Sequence, residues 1–497
     1  MRLPRRDVSA PPEHLYPLRA MGGGRRVPWT VRALGALIGA QLLASGTVLA
    51  VRPAPARSAA LVRSKPVPAT TSTTSEPTTL PPPPSTTSPP TAPPTTTPPL
   101  PGDPAARLAG RVNAALGALP SCVIVQDGST TVYDRSGDLA LAPASTQKLL
   151  VAAAALDQLG PDYRFVTTVV APNAPVNGAV DALWLVGSGD PLLATPEYSA
   201  YLASQPRSVG TPVTPLAALG DQLAAAGVRS VRDGVHGDAS HFNGPQWLPG
   251  WKPIYRDEAD VPLLSALTVD GGLDHWKPTE VISADPTAAA AGQLNRLLTA
   301  RGVAAAAGSN QTRPGGAVVL ARVSSAPLAE IVASMLRSSD NLAAEMLVKE
   351  LDSHAGGAGT TEGGLTLVNA TAALLGIPTG GLHMGDGSGL DPGDRATCTS
   401  LLGALSLGTS RPGFDAINSG LSVAGLNGTL AKRFGGTPLA GHLAAKTGWI
   451  NCAAAMVGRV DVKRPVRFAF IVNGPCDWDT AEALENRVAT AVGTYPD

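Results

Sequence analysis

Apolar side chains fall in different rhythms along the 497-residue chain, and each rhythm predicts a different kind of segment. From 33 to 51 they form one run without an acidic residue or lysine, preceded by Arg25, Arg26 and Arg32. That length and flank predict a membrane-crossing helix or a long signal-peptide core. From 52 to 102 the pattern disappears among Pro, Thr and Ser, as in Pro81-Pro82-Pro83-Pro84-Ser85-Thr86-Thr87. Beyond it, the spacing of Leu108, Val112 and Leu116 predicts a helix over 104–118. The apolar run 122–125 and the β-prone 130–133, with Asp127-Gly128 between them, predict a hairpin. An Ala- and Leu-rich stretch over 149–156 meets no Gly or Pro until Gly160-Pro161, which predicts a helix stopped by those two residues.

Shorter runs follow. Segments 167–170, 182–186 and 235–237 predict strands among Gly/Pro-rich turns, and 215–226 and 287–300 predict helices. An amphipathic helix over 327–337 gives way to a second over 342–351, capped by Asp340 or Ser339. After a glycine-rich passage comes a helix over 399–407. Three apolar runs, 449–450, 453–460 and 466–472, are separated by short polar turns and predict an antiparallel meander. A last helix over 479–492 is expected to be capped by Asp479 or Thr480. The meander and the N-terminal hairpin together predict a five-stranded antiparallel sheet assembled from both ends of the chain, with helices over its faces. The fold class is therefore α+β and multidomain.

The expected organisation is a cytoplasmic tail over 1–30, a transmembrane signal-anchor over 31–51 and a disordered linker over 52–102. A catalytic domain over 103–165 and 325–497 is interrupted by one or two inserted domains over 166–324. Basic residues on the N-terminal side of the apolar run leave the tail in the cytoplasm and send the rest outward. The folded part would then lie in the cell envelope, anchored to the cytoplasmic membrane, or secreted if the residues around Thr47-Val48-Leu49-Ala50 hold a cleavage site. The linker cannot bury enough apolar surface to fold, and extended at about 3 Å per residue it spans on the order of 100 Å.

Composition narrows the function. Lys+Arg and Asp+Glu both number 38, which gives no electrostatic reason to expect nucleic acid as a partner. Seven histidines show no His-x-x-x-His spacing and the cysteines no Cys-x-x-Cys, so neither a metal site nor a cofactor is expected. Gly187-Ser188-Gly189-Asp190 lacks Gly-x-Ser-x-Gly spacing and reads as a structural loop.

Chemistry concentrates in Pro143-Ala144-Ser145-Thr146-Gln147-Lys148. Lys148, three residues beyond Ser145, lies on the same helical face, and burial at a helix start lowers its pKa. A neutral lysine beside a serine makes a base and a nucleophile. Further along stand Ser339-Asp340-Asn341, in an interhelical turn, and Lys446-Thr447-Gly448, on an edge strand. In this order the three patterns resemble the signature of the penicillin-recognising serine enzymes. The gap of about 190 residues between Lys148 and Ser339, with Gly187-Ser188-Gly189-Asp190-Pro191 and Asp386-Gly387-Ser388-Gly389-Leu390, is similar to the D-alanyl-D-alanine carboxypeptidase/endopeptidase group of low-molecular-mass penicillin-binding proteins, the peptidase S13 family.

That resemblance, over roughly residues 105 to 495, implies a transpeptidase-like domain acting on peptidoglycan stem peptides, with β-lactams as covalent inhibitors. It implies Ser145 as nucleophile, Lys148 as base, Ser339 as proton relay and Lys446 as its electrostatic support. Asn341 would bind the acyl-side amide and Thr447 the terminal carboxylate. The backbone N–H groups of Ser145 and Trp449 would hold the oxyanion, and Gly448 counts with Thr447 among the substrate-binding residues. One position departs: the family usually has a small hydroxyl residue after Lys-Thr-Gly, where this chain has Trp449, whose indole would narrow the cleft. Alternatives are a catalytically weak or inactive cell-wall-binding protein on the same fold, and a β-lactamase. Four cysteines beyond an export segment predict two disulfides, with sheet closure pairing Cys122 with Cys476 and leaving Cys398 for Cys452.

Overall fold

The structure, a computed structural model, describes residues 102–497. The expected tail, anchor and all but the last residue of the linker lie outside the described residues. Among the described residues no helix is long and apolar enough to cross a membrane.

A helix, α1 (Pro104–Leu116), leads into strands β1 (Ser121–Asp127) and β2 (Thr130–Arg135), which form the expected hairpin. Helix α2 (Lys148–Gln158) follows. Later helices are α3 (Leu328–Ser338), α4 (Asn341–His354) and α5 (Cys398–Ser410). The chain then forms β3 (Ser422–Val423), β4 (Leu443–Ile450), β5 (Ala453–Val460) and β6 (Val466–Asn473), and ends in α6 (Trp478–Gly493). Helix α6 begins one residue earlier than expected, so its N-cap is Asp477, whose side chain accepts from Thr480 N at 2.9 Å.

The strands order as β3-β4-β5-β6-β1-β2, all antiparallel. The sheet has six strands where five were expected. The extra one, β3, is two residues long and too short to show a periodicity. It pairs only with Ala444 and Ala445, so β4 stays an open edge from Lys446 onward.

Alternation along the strands fills two cores. Val123, Val125, Met456, Phe468 and Phe470 face α1 and α6. Ile124, Ala455, Val457 and Ile471 face α2, α3, α4 and α5. Leu149, Leu150 and Val151 are wholly buried between these layers, and burying each aliphatic side chain contributes about 1.5–3 kcal/mol. Helix α2 is thus held as the central pillar of the second core.

The disulfides differ from the expected pairing: Cys122 bonds Cys398 and Cys452 bonds Cys476. Proximity of strand ends was the wrong criterion. Cys122 does lie opposite Ile471 near the end of β6, but its side chain points to the helical face, where α5 begins with Cys398. Cys476 lies beyond β6, where the Gly474 N–H donates to the Cys452 carbonyl at 2.9 Å.

Between α2 and α3 a separate mixed sheet forms, in the order Ala304–Asn310, Ser230–Asp238, Leu183–Val186, Val166–Ala171, Val318–Ser324, with Ala179–Val180 beside Ser230–Asp238. Helices Ala217–Ala225 and Pro286–Ala300 pack on it around Leu219, Leu223, Leu294 and Leu298. One stretch of this region leaves that sheet: Leu248, Trp251, Tyr255, Val261 and Leu264 pack on Ala142, Leu342, Met346, Leu390 and Ile450. These residues cover the catalytic side of the first sheet.

Candidate active site

Ser145 sits in a 3₁₀ turn, Ala144–Gln147, and Lys148 is the first residue of α2. Residues three apart eclipse in a 3₁₀ turn, which aligns the two side chains. Lys148 Nζ lies 2.9 Å from Ser145 Oγ, 2.6 Å from Asn341 Oδ1 and 2.6 Å from the Ser388 carbonyl. The last two are oxygens that only accept. A neutral amine therefore gives them its two N–H bonds and keeps its lone pair for the Ser145 proton. Lys148 is wholly buried, and this desolvation lowers its pKa to about 8 against the opposing pull of Asp386, Glu345 and Asp340.

Ser339 ends α3 in a left-handed conformation (φ 61°), and Asp340 caps α4, accepting from Ala343 N at 3.0 Å. This tight reversal turns Ser339 inward, where Lys446 Nζ donates to its Oγ at 2.9 Å and to the Thr447 carbonyl at 2.6 Å. Lys446 is wholly buried as well. Desolvation, reinforced by the positive charges of Lys148 and Arg207, holds its pKa well below the usual lysine value. Asn341 is engaged at both ends: beside its bond with Lys148, its Nδ2 donates to the Asp260 carbonyl at 2.7 Å. The Asn341 amide nitrogen keeps its second N–H beyond these two bonds.

Strand β4 passes hard against the nucleophile turn. A Cβ at Gly448 would lie 2.8 Å from the Pro143 carbonyl oxygen, 2.9 Å from Thr146 N and 3.0 Å from Ser145 N, so only glycine permits this approach. Alternation puts Thr447 and Trp449 on the opposite face. Trp449 leans edge-to-face on Trp478, the first residue of α6, with ring centroids 5.3 Å apart. The indole is half-buried against the core under α1 and α6, and so lines the cleft from the side of the sheet away from Ser145. Ser145, Ser339, Asn341, Thr447, Gly448 and Trp449 open on one cavity of about 660 Å³. All the expected site residues lie on this cavity except the two buried lysines, which stand behind it.

Several supporting groups carry no motif of their own. Buried Glu345 accepts from the backbone N–H of Gly387 and Ser388, which fixes the Ser388 carbonyl that Lys148 uses. Asp386 accepts from Trp251 Nε1 at 2.8 Å and from the backbone of Gly389, Leu390 and Asp391. Gln147 ties α2 to Asp386 and Asp394. Thr429 Oγ1 lies 2.8 Å from Thr447 Oγ1. The Asp386-Gly387-Ser388-Gly389 pattern was visible in the sequence, whereas the role of a carbonyl was not; Thr429 lies in a loop with no distinguishing signal.

Comparison with known proteins agrees with this geometry. The chain is 31% identical over 461 residues to a D-alanyl-D-alanine carboxypeptidase of Actinomadura, spanning 77% of this chain and 82% of that one. It is 32% identical over 394 residues to a carboxypeptidase of Mycobacterium tuberculosis, spanning 77% and 80%. The fold is similar to penicillin-binding protein 4 of Haemophilus influenzae, with a TM-score of 0.65 at 20% identity over 78% of this chain and 99% of that one. Residues 112–275 and 267–494 match a single family profile, and the chain belongs to the D-Ala-D-Ala carboxypeptidase 3 (S13) family.

Proposed function

We propose that the protein is a serine D-Ala-D-Ala carboxypeptidase or endopeptidase acting on peptidoglycan stem peptides, and that β-lactams acylate the same serine. The observation that carries this reading is the buried Lys148 amine, its pKa brought to about 8, 2.9 Å from Ser145 Oγ. Ser145 Oγ attacks the carbonyl between two D-alanines as its proton passes to Lys148. The backbone N–H groups of Ser145 and Trp449 take the developing oxyanion. As the C–N bond breaks, the leaving amine receives a proton through Ser339, with Lys446 behind it. Asn341 holds the acyl-side amide and Thr447 the terminal carboxylate. Water then releases the acyl group by the reverse proton path. The polar groups of all three motifs stand at hydrogen-bonding distance, which favours a working enzyme over a wall-binding remnant.

Mass spectrometry after incubation with a penicillin should find one adduct, on Ser145, and Ser145→Ala should remain folded and unmodified. A peptide ending in D-Ala-D-Ala should lose its last residue. Folded wild-type protein that takes up no penicillin would sink the reading.

The same reading places the folded part outside the cytoplasmic membrane, held by 31–51. Its support is the pair of disulfides, which persist in an oxidising compartment. Protease added to intact cells lacking an outer permeability barrier should digest the folded part; protection would contradict it.

A further inference from the structure

Trp449 stands directly after Lys446-Thr447-Gly448, leaving Thr447 as the one hydroxyl of β4 beyond Lys446. The loop after β3 brings another to the same place. Thr429 Oγ1 lies 2.8 Å from Thr447 Oγ1, and both residues line the cleft. The loop is built to hold that position. Ser422 Oγ donates to the Arg337 carbonyl at 2.8 Å and accepts from Thr429 N at 3.0 Å. Gly428 has φ +60°, and a Cβ there would lie 2.3 Å from Ser422 Oγ and 2.6 Å from the Arg337 carbonyl oxygen, so the loop is pressed onto the end of α3 with no slack.

The hydroxyl protons can be counted. Ser422 spends its proton on Arg337. Thr429 Oγ1 lies 3.1 Å from Ser422 Oγ as well as 2.8 Å from Thr447 Oγ1, so its proton goes to one or the other. When Thr429 donates to Thr447, the Thr447 proton is free to face the cleft and the Thr429 hydroxyl polarises it, and an anion in the cleft favours that arrangement. Arg433, four residues on, also lines the cleft. It is 7% exposed, with Nη1 2.7 Å from Glu485 Oε2 and Nη2 2.6 Å from Asn486 Oδ1, so its guanidinium is held by α6 and retains further N–H groups.

We propose that the loop 428–433 completes the seat for the substrate's terminal carboxylate, with Thr429 acting through its hydroxyl pair with Thr447 and Arg433, its charge paired with Glu485 and Glu482, supplying its remaining N–H donors. Selection of a carboxylate-ended substrate over a neutral-ended one then rests on this loop and not on residue 449. The proposal depends on the D-Ala-D-Ala reading, and its test is kept separate from turnover.

Binding of acetyl-D-Ala-D-Ala and of its C-terminal amide is measured by calorimetry in the Ser145→Ala background, where neither is hydrolysed. The carboxylate form should bind about tenfold or more tighter than the amide. Thr429→Val should shrink that ratio severalfold through the carboxylate form alone. Arg433→Gln combined with Glu485→Gln, which leaves no buried carboxylate without its guanidinium, should do the same. Thermal melting checks that each variant is folded. A misfolded loop would weaken both ligands together and leave the ratio near its starting value. An unchanged ratio in both variants with the carboxylate form bound as tightly as before, or no preference for the carboxylate to begin with, overturns the proposal. Penicillin labelling of the wild type reports on the parent reading by itself.

Discussion

Lys148 concentrates the physics of the site in one group. Its two fixed acceptors, Asn341 Oδ1 and the Ser388 carbonyl, favour an amine that donates twice and accepts once, and complete burial supplies the lowered pKa that makes such an amine available. Because the depressed group is a base, it works deprotonated, and its neutral fraction grows as pH rises through about 8. The rate constant for acylation by a penicillin should therefore climb about tenfold between pH 6 and 7, then flatten above about pH 8 to 9. A flat profile from pH 6 to 9 would remove Lys148 from the role of base. The pairing of Ser145 with Lys148 was legible because three-residue spacing survives the exchange of an α-helical start for a 3₁₀ turn. The Ser388 carbonyl was not, since a backbone acceptor leaves no residue-type signature. Trp449 was legible as a departure, and it lines the same cavity as Ser145. Strand alternation puts it on the face opposite Gly448.

Among elements, β4 is the one whose placement decides the chemistry. It carries Lys446 inward, Gly448 against the serine turn and Thr447 toward the loop 428–433. Its far end is tied down: Cys452, in the turn that follows, bonds Cys476 just before α6, and Trp449 rests on Trp478 in the same helix. Cys122–Cys398 instead joins β1 to α5 across 276 residues, against 24 for Cys452–Cys476. Cross-links over longer spans constrain the unfolded chain more. Replacing Cys122 and Cys398 by alanine should cost about 2–5 kcal/mol, read as a lower denaturation midpoint. Replacing Cys452 and Cys476 should cost less in stability and act chiefly by slowing penicillin acylation. Equal midpoints with equal acylation rates would show that neither bridge has the assigned task. The elements themselves were mostly visible in apolar periodicity, because α2, β5 and β6 are long and strongly patterned. The cysteine pairing was not, since it depends on which face of a strand meets which helix.

At the scale of the molecule, the region between α2 and α3 both forms its own sheet and returns to cover the site. Trp251 and Tyr255 hydrogen-bond to Asp386 and the Leu390 carbonyl, and with Leu248, Val261 and Leu264 they cover Ala142, Leu342 and Met346. A protein joining 103–165 directly to 325–497 should thus expose an apolar face and fail to become soluble and penicillin-binding; a soluble, labelled product would show that the cover is dispensable. The sheet beneath has a different consequence. β1 pairs with β6 in full register, Ser121 opposite Val472, so a strand near the start of the folded part waits for one near its end. Such contacts are distant in sequence and close slowly. The nucleophile turn is synthesised early, yet the platform beneath it cannot close until β6 has emerged. If the chain is exported during or after synthesis, maturation of the hydrolase is timed by the arrival of its last strand, and a polypeptide halted before Val466 carries Ser145 and Lys148 without a sheet to hold them.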